Sequence, residues 1–154
     1  MRLSYRVLSA LGLILVMSSA QALESKAEKT STQPVAAVWK KIGDFCGIAS
    51  WHPAIASCQL SANKKERTLT LKGGGTIVER LVRWSNKDHF YTYRIISGPL
   101  PVADYEATLR VRAAKSGSVI SWHGHYKAKG ASDADAQKAI DGVYESGLTA
   151  LAGG

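Results

Sequence analysis

The C-terminal stretch SDADAQKAIDGVYESGLTALAGG, residues 132–154, decides the fold of this chain. Ser132 is a favourable N-cap residue, and Asp133 and Asp135 place negative charge at the positive end of a helix dipole. Apolar residues and one glycine then recur at three- and four-residue spacing, namely Ile140, Val143, Tyr144, Gly147, Leu148 and Leu151. The two closing glycines are a stop signal. The pattern predicts one long amphipathic helix whose apolar stripe needs a partner surface.

The segments before this helix alternate apolar and polar residues, as the strands of an antiparallel sheet do. We predict strands at 28–32, 58–62, 67–72, 76–84, 89–97, 104–114 and 119–127, with helices at 34–44 and 48–55 after the first strand. A long helix lying on a curved sheet leaves a cavity between the two. That cavity is the predicted functional site.

The N-terminus has the pattern of a signal peptide. Arg2 and Arg6 precede an apolar run at 7–17, and Ala20-Gln21-Ala22 has the A-x-A form of a cleavage site. The alternative is an uncleaved membrane anchor, but the apolar run is short for a bilayer span. We therefore predict a signal peptide at 1–22, a linker at 23–27 and one domain at 28–152. The protein is expected to be periplasmic or secreted.

The net charge of the chain limits which classes of binding partner are expected. The formal net charge of the chain is +8. It falls to +6 after cleavage, because Arg2 and Arg6 leave and no acidic residue does. A basic exported protein meets anionic lipids or acidic proteins, and nucleic acid is not an expected partner.

The two cysteines, Cys46 and Cys58, leave two alternatives open. In an oxidising compartment they are a candidate disulfide, and the other interpretation is two buried thiols. No histidine lies at ligand spacing from either cysteine, so neither a metal nor another cofactor is predicted.

Several motifs together resemble the SRPBCC superfamily (START/Bet v 1-like), in its polyketide cyclase/dehydrase and lipid-transport branch. They are PVAAVW at 34–39, DFCGIASWHP at 44–53, GTIVERL at 75–81, YRI at 93–95, GPLP at 98–101, DY at 104–105 and WHG at 122–124. The resemblance covers about residues 28–152. It implies an α+β helix-grip fold, in which a curved antiparallel sheet of about seven strands wraps around the long C-terminal helix. It also implies a hydrophobic-ligand carrier, a cyclase-like enzyme or a protein similar to the periplasmic accessory proteins of methanol oxidation.

Successive side chains of a strand point to opposite faces of the sheet, and we call the resulting alternation strand parity. The resemblance and strand parity together select residues that are expected to line the pocket. They are Trp51, Glu79, Leu81, Tyr91, Tyr93, Tyr105, Leu109, Trp122, Tyr144 and Leu148. Such walls suit a small hydrophobic or amphipathic ligand. The alternative is a closed core built from the same residues.

Glu79 and His52 are the candidate catalytic residues. Glu79 shares parity with Ile77 and Leu81, so it is expected to face inward as a ligand anchor or an acid/base. The alternatives are a structural carboxylate bonded to a tyrosine or a backbone amide, or a register slip that exposes it. His52 can protonate a substrate or sense pH, and the alternative is packing and capping.

Outward parity places Arg80, Arg94, Arg110 and Arg112 on the convex face of the sheet. This arginine stripe is a candidate docking surface for an acidic protein or anionic lipid, and the alternative is a solvated face. The loop at 98–101 is a candidate lid on the pocket entrance. Three hypotheses follow: a ligand-binding protein, a cyclase- or hydratase-like enzyme, and an accessory interaction protein of a periplasmic redox system.

Overall fold

The structure is a computed structural model that describes residues 22–153. Its elements are β1 (Leu23–Ser31), α1 (Val35–Ile42), α2 (Ile48–Trp51), β2 (Ile55–Leu60), β3 (Glu66–Leu71), β4 (Thr76–Ser85), β5 (Phe90–Ser97), β6 (Val102–Ala113), β7 (Ser118–Ala128) and α3 (Asp133–Gly153). The strands form one antiparallel sheet in the order β1-β7-β6-β5-β4-β3-β2. This arrangement confirms the predicted α+β helix-grip fold. Among residues 22–153, no helix is both long and apolar enough to cross a bilayer.

Helix α3 forms as its sequence predicts. The backbone N–H of Asp135 donates a hydrogen bond to Ser132 Oγ at 3.1 Å, which caps the first turn. The apolar stripe is buried against the sheet, apart from Val143, which is half-buried. Gly147 lets the helix approach closely, because a Cβ there would lie 2.7 Å from His52 Cδ2 and 2.9 Å from Trp122 Cζ3. The helix therefore lies directly on α2 and β7.

The first strand is longer than the sequence pattern predicts. The predicted linker at 23–27 is wrong, because these residues belong to β1 and pair with β7 from Tyr126 to Trp122. The inward positions of β1 include Ser25, Lys29 and Ser31, so the usual apolar alternation is absent. The predicted signal peptide lies outside the described residues, except for Ala22.

The second helix is shorter than predicted. It ends at Trp51, and His52 already has extended backbone angles of −84° and 120°. Pro53 explains this end, because the residue before a proline is disfavoured in the helical conformation. The chain can then start β2 at Ile55, three residues before the predicted strand.

The two cysteines form a disulfide. Cys46 lies in the loop between α1 and α2, and it is bonded to Cys58 in β2 with a Cα–Cα distance of 5.5 Å. The alternative of two buried thiols is therefore wrong. The bond ties the loop after α1 to the edge of the sheet.

Candidate ligand-binding site

A cavity of about 170 Å³ lies between the sheet and α3. Its walls are mainly aliphatic, with Leu69 and Ile77 from the sheet and Ile140 from α3 among them. The polar side chains on its surface are His52, Glu79, Tyr93, Tyr105 and Trp122. The alternative of a fully closed core therefore does not hold at this point of the sheet.

The structure brings only some of the predicted pocket residues to the cavity. Glu79, Tyr93, Tyr105 and Trp122 line it, together with the catalytic candidate His52. The other predicted lining residues lie outside its wall, namely Trp51, Leu81, Tyr91, Leu109, Tyr144 and Leu148. These six are packed in or against the surrounding core. Strand parity identifies the inward face, but it does not identify which inward residues meet empty space.

Glu79 faces inward as predicted, and its partner is an arginine. Glu79 in β4 and Arg67 in β3 are directly opposite each other in the sheet. Arg67 Nε donates a hydrogen bond to Glu79 Oε2 at 2.5 Å, and both side chains are buried. Glu79 is thus a bonded structural carboxylate, as one alternative held, but its partner is Arg67 rather than a tyrosine or a backbone amide. Arg67 shares parity with Leu69 and Leu71, and this parity is the sequence signal that identifies it.

Arg67 is held by more than its carboxylate partner. Its Nη1 donates to the backbone carbonyl of Phe45, and its guanidinium carbon lies 4.1 Å from the centre of the Phe45 ring. The rings of Tyr93 and Tyr91 lie 5.2 and 5.7 Å from the same atom. Nη2 of Arg67 and the hydroxyl of Tyr91 are buried without a hydrogen-bond partner among residues 22–153. The cation is thus enclosed by aromatic rings.

The ion pair fixes the charge of both groups. Burial by itself would lower the pKa of Arg67, but the negative charge of Glu79, nearby Tyr91 and Tyr93, and the hydrogen bond to Glu79 raise it. Burial raises the pKa of Glu79, while the charge and hydrogen bond of Arg67 oppose that rise. Because a buried arginine needs a counter-charge, we assign Glu79 as a carboxylate at neutral pH.

The second oxygen of this carboxylate is available. Within residues 22–153, Glu79 Oε1 has no hydrogen-bond partner, and the side chain lies on the cavity wall. A carboxylate oxygen in apolar surroundings is a strong acceptor. A hydrogen-bond donor on a ligand in the cavity would supply the bond that Glu79 Oε1 lacks.

A chain of aromatic hydroxyl groups forms the rest of the polar wall. Trp122 Nε1 donates to the Tyr93 hydroxyl at 3.0 Å. The Tyr93 and Tyr105 hydroxyls share a hydrogen bond of 3.1 Å, and Tyr105 and Tyr144 share one of 2.7 Å. Burial raises the pKa values of Tyr93, Tyr105 and Tyr144, so the phenols remain protonated. The indole of Trp122 also stacks on Tyr144 with ring centres 4.6 Å apart. This network joins the cavity wall to α3.

His52 is occupied at both ring nitrogens. Its Nδ1 accepts the backbone N–H of Ala54 at 3.2 Å, so Nε2 carries the proton and donates to the Val143 carbonyl at 3.1 Å. Burial lowers the pKa of His52 below its usual 6.5, against the Val143 hydrogen bond, which raises it. The side chain joins α2 to α3 as a neutral group, which favours the packing interpretation over proton transfer.

We expect His52 to make stability depend on pH. The unfolded chain takes up a proton near pH 6.5, and the folded protein does so only at lower pH. Its stabilising contribution is therefore complete above pH 6.5 and is lost as the pH falls below it, by up to about 1.4 kcal/mol per pH unit. Urea unfolding of wild type and His52→Gln at several pH values measures the difference. The exposed His125→Gln is the control, and equal slopes for wild type and His52→Gln would contradict the assignment.

An outer cleft of about 750 Å³ lies where β5 and β6 separate. The pairing of β5 with β6 stops at Arg94 and Glu106, and the loop at 98–101 bridges the gap. Ile95, Leu100 and Tyr105 line both this cleft and the inner cavity. These three side chains therefore lie between the cavity and the outer cleft.

The arginine stripe lies outward, as parity predicts, but it is largely neutralised. Arg80 pairs with Glu66 at 2.7 Å, Arg94 with Glu106 at 2.6 Å and Arg112 with Glu28 at 3.1 Å. Arg110 instead lies over the Phe90 ring, 4.5 Å from its centre. The stripe is therefore a ladder of cross-strand ion pairs rather than a bare positive face.

The described residues contain no group of three or more His, Cys, Asp or Glu side chains that could hold a metal ion. His123 and His125 are exposed on the convex face, and His123 is bonded to Glu24.

A sheet that grips a long C-terminal helix, with an apolar cavity between them, defines the helix-grip class of proteins. The chain belongs to the family "Polyketide cyclase / dehydrase and lipid transport", an SRPBCC-type family whose model matches residues 23–153. The resemblance drawn from the motifs is thereby confirmed. No curated protein matches the chain.

Solved structures support the same assignment. XoxI from Bacillus cereus is 31% identical, with a TM-score of 0.82, over 84% of this chain and 93% of that chain. An uncharacterized protein from Bacillus thuringiensis is 32% identical, with a TM-score of 0.82, over 85% of this chain and 97% of that chain. The Zhui aromatase/cyclase from Streptomyces sp. R1128 is 16% identical, with a TM-score of 0.68, over 86% and 93% of the two chains. This last similarity concerns the fold alone.

Proposed function

We propose that this protein is exported and binds a small, mainly apolar ligand that carries one hydrogen-bond donor. The ligand occupies the cavity between the sheet and α3. The observation that carries this proposal is Oε1 of Glu79, which has no hydrogen-bond partner within residues 22–153 and belongs to a side chain on a mainly aliphatic cavity wall. A hydroxyl or amine group of the ligand donates the hydrogen bond that Glu79 Oε1 lacks.

The cavity volume limits the size of the ligand. Drug-sized ligands occupy pockets of roughly 300–1,000 Å³, whereas an engineered apolar cavity of about 150 Å³ in another protein binds benzene. At about 170 Å³, the present cavity accommodates a molecule with a single ring or a short branched chain. Entry is proposed at the outer cleft, where the loop at 98–101 acts as the lid.

Export is supported by two features besides the signal-peptide pattern. Strand β1 and the family match both begin at Leu23, directly after the predicted cleavage site at Ala22. The Cys46–Cys58 disulfide is suited to an oxidising compartment. Mass spectrometry of the purified protein tests this part of the proposal by reading its N-terminal residue.

The enzyme hypothesis keeps Glu79 as its only candidate acid/base, because backbone groups occupy both ring nitrogens of His52. The hypothesis of an acidic partner at the arginine stripe is weakened by the three ion pairs on that face. Ligand binding is therefore preferred over both. Conversion of a bound compound by the wild-type protein would instead favour the enzyme.

The test compares three one-ring probes by calorimetry: phenol, toluene and benzoate. We expect phenol to bind roughly tenfold or more tightly than toluene, because its hydroxyl donates to Glu79 Oε1. Benzoate is expected not to bind, since its carboxylate would face the Glu79 carboxylate. Equal affinities for phenol and toluene would contradict the role of Glu79, and no binding of any probe would contradict the ligand site.

A matched pair of variants locates the binding site. Leu71→Trp fills the cavity from its lining, and Leu60→Trp adds the same bulk at a half-buried position that does not line the cavity. We expect Leu71→Trp to abolish phenol binding and Leu60→Trp to retain it, with circular dichroism to check that both variants are folded. Unchanged binding by Leu71→Trp would place the ligand elsewhere.

A further inference from the structure

Helix α1 and three hairpin turns lie at one end of the curved sheet. In an antiparallel meander, alternate turns lie at the same end of the sheet, so the β2–β3, β4–β5 and β6–β7 turns lie together. Helix α1 crosses this end and is held there by the β4–β5 hairpin. Trp39 Nε1 donates to Asn86 Oδ1 at 2.7 Å, and Trp84 Nε1 donates to the Gly43 carbonyl at 2.9 Å.

Six exposed lysines are distributed over this end. They are Lys40 and Lys41 on α1, and Lys64, Lys65, Lys87 and Lys115 on the three turns. None of them forms an ion pair within residues 22–153, in contrast to the paired arginines of the convex face. The nearby acids, Asp44, Glu66 and Asp88, are fewer and are already engaged. Asp44 and Asp88 accept local hydrogen bonds from Cys46 and Ser85, and Glu66 pairs with Arg80. We call this surface the lysine end.

Trp84 lies at the lysine end and is unusually exposed for its size. Its side chain is 48% exposed, although its indole N–H is satisfied by Gly43. The ring packs against Trp39 on one side, with centres 5.9 Å apart, and the exposed part is apolar. A tryptophan with an apolar body among lysines is the combination that the interface of an anionic bilayer favours.

We infer that the lysine end docks onto an anionic membrane surface. The lysines are spread over four separate segments, which suits a broad layer of negative headgroups better than a compact acidic motif. The lysines would attract the headgroups, and Trp84 would enter the interfacial region. The cleft at 98–101 lies at the opposite end of β5, so a docked protein presents its proposed pocket entrance away from the membrane.

Vesicle co-sedimentation of the full chain tests this inference. We expect binding to vesicles that contain phosphatidylglycerol, little binding to pure phosphatidylcholine, and a loss of binding as salt increases. Combining Lys40→Glu, Lys41→Glu and Lys87→Glu is expected to weaken binding by about a hundredfold or more. The matched control combines Lys72→Glu, Lys129→Glu and Lys138→Glu, which changes net charge equally away from the lysine end, and it should bind nearly as wild type does.

Bromine-labelled lipids provide a second readout, because they quench nearby tryptophans. Quenching is expected in wild type and is expected to fall sharply in Trp84→Phe, in which the neighbouring but buried Trp39 remains. Equal weakening by the two triple variants, or quenching that is undiminished in Trp84→Phe, would overturn the assignment to this surface. Binding to soluble polyglutamate but not to vesicles would overturn the inference that the partner is a membrane, and would indicate an acidic polymer instead. None of these results depends on whether the cavity binds a ligand.

Discussion

Replacing Arg67 by methionine is expected to lower the free energy of unfolding by about 3–5 kcal/mol. The substitution leaves the Glu79 carboxylate buried without its cation. It also removes the donor to the Phe45 carbonyl and the contacts with the surrounding rings. Urea unfolding measures the effect, and the exposed ion pair between Arg94 and Glu106 provides the matched control. Arg94→Met breaks the Arg94–Glu106 bridge on the convex face and should cost less than about 1 kcal/mol.

The double variant Arg67→Met/Glu79→Leu separates two contributions to stability: the penalty for one buried charge left without its partner, and the net stabilisation by the intact ion pair. Glu79→Leu alone strands the Arg67 cation and should destabilise by a similar amount. Arg67→Met/Glu79→Leu removes both charges and should recover much of the loss, although the Phe45 carbonyl remains without its donor. If Arg67→Met costs no more than Arg94→Met, or if the double variant is as unstable as the two losses added, the buried ion pair does not have the assigned role.

A stabilising role and a ligand-binding role are compatible at Glu79. Arg67 uses one carboxylate oxygen and keeps the group ionised, while the other oxygen remains on the cavity wall. A buried carboxylate that is to stay ionised needs such support, because burial raises its pKa and favours the protonated form. Arg67 is thus a positioning residue for the proposed acceptor.

Periodicity predicted the architecture because most inward positions are apolar. Helix α3, β6 and β7 follow this pattern, and so does the inward direction of Glu79. The same rule failed where inward positions are polar. Ser25 in β1 is buried because its hydroxyl is bonded to Tyr126 at 2.6 Å, and the buried cation Arg67 faces Glu79. Both depend on partners that are distant in sequence.

The cavity wall was harder to predict than the sheet. Parity separates the two faces of a strand, but the boundary of an empty space depends on how α2 and α3 are placed over the sheet. Tyr144 shows the difference: it was expected at the wall, but it stacks on Trp122 and lies behind it. His52 reaches the wall because α2 ends one residue before it.

Loss of the Cys46–Cys58 disulfide is expected to lower the free energy of unfolding by about 3 kcal/mol. The two residues are 12 positions apart, and the bond limits the unfolded chain by closing that loop. The bond also fixes the residue beside Phe45, whose carbonyl and ring hold Arg67. Urea midpoints with and without dithiothreitol measure the effect, together with a thiol assay that verifies reduction. The Cys46→Ser/Cys58→Ser variant is the control, because its midpoint should be low and insensitive to the reductant.

The disulfide and the ion pair should also be energetically coupled. Without the bond, the segment around Phe45 can shift, so part of the support for Arg67 is already lost. Arg67→Met should therefore cost less in the Cys46→Ser/Cys58→Ser background than in wild type. Equal costs in the two backgrounds would show that the loop position does not depend on the bond. An unchanged midpoint after complete reduction would contradict the stabilising role of the disulfide itself.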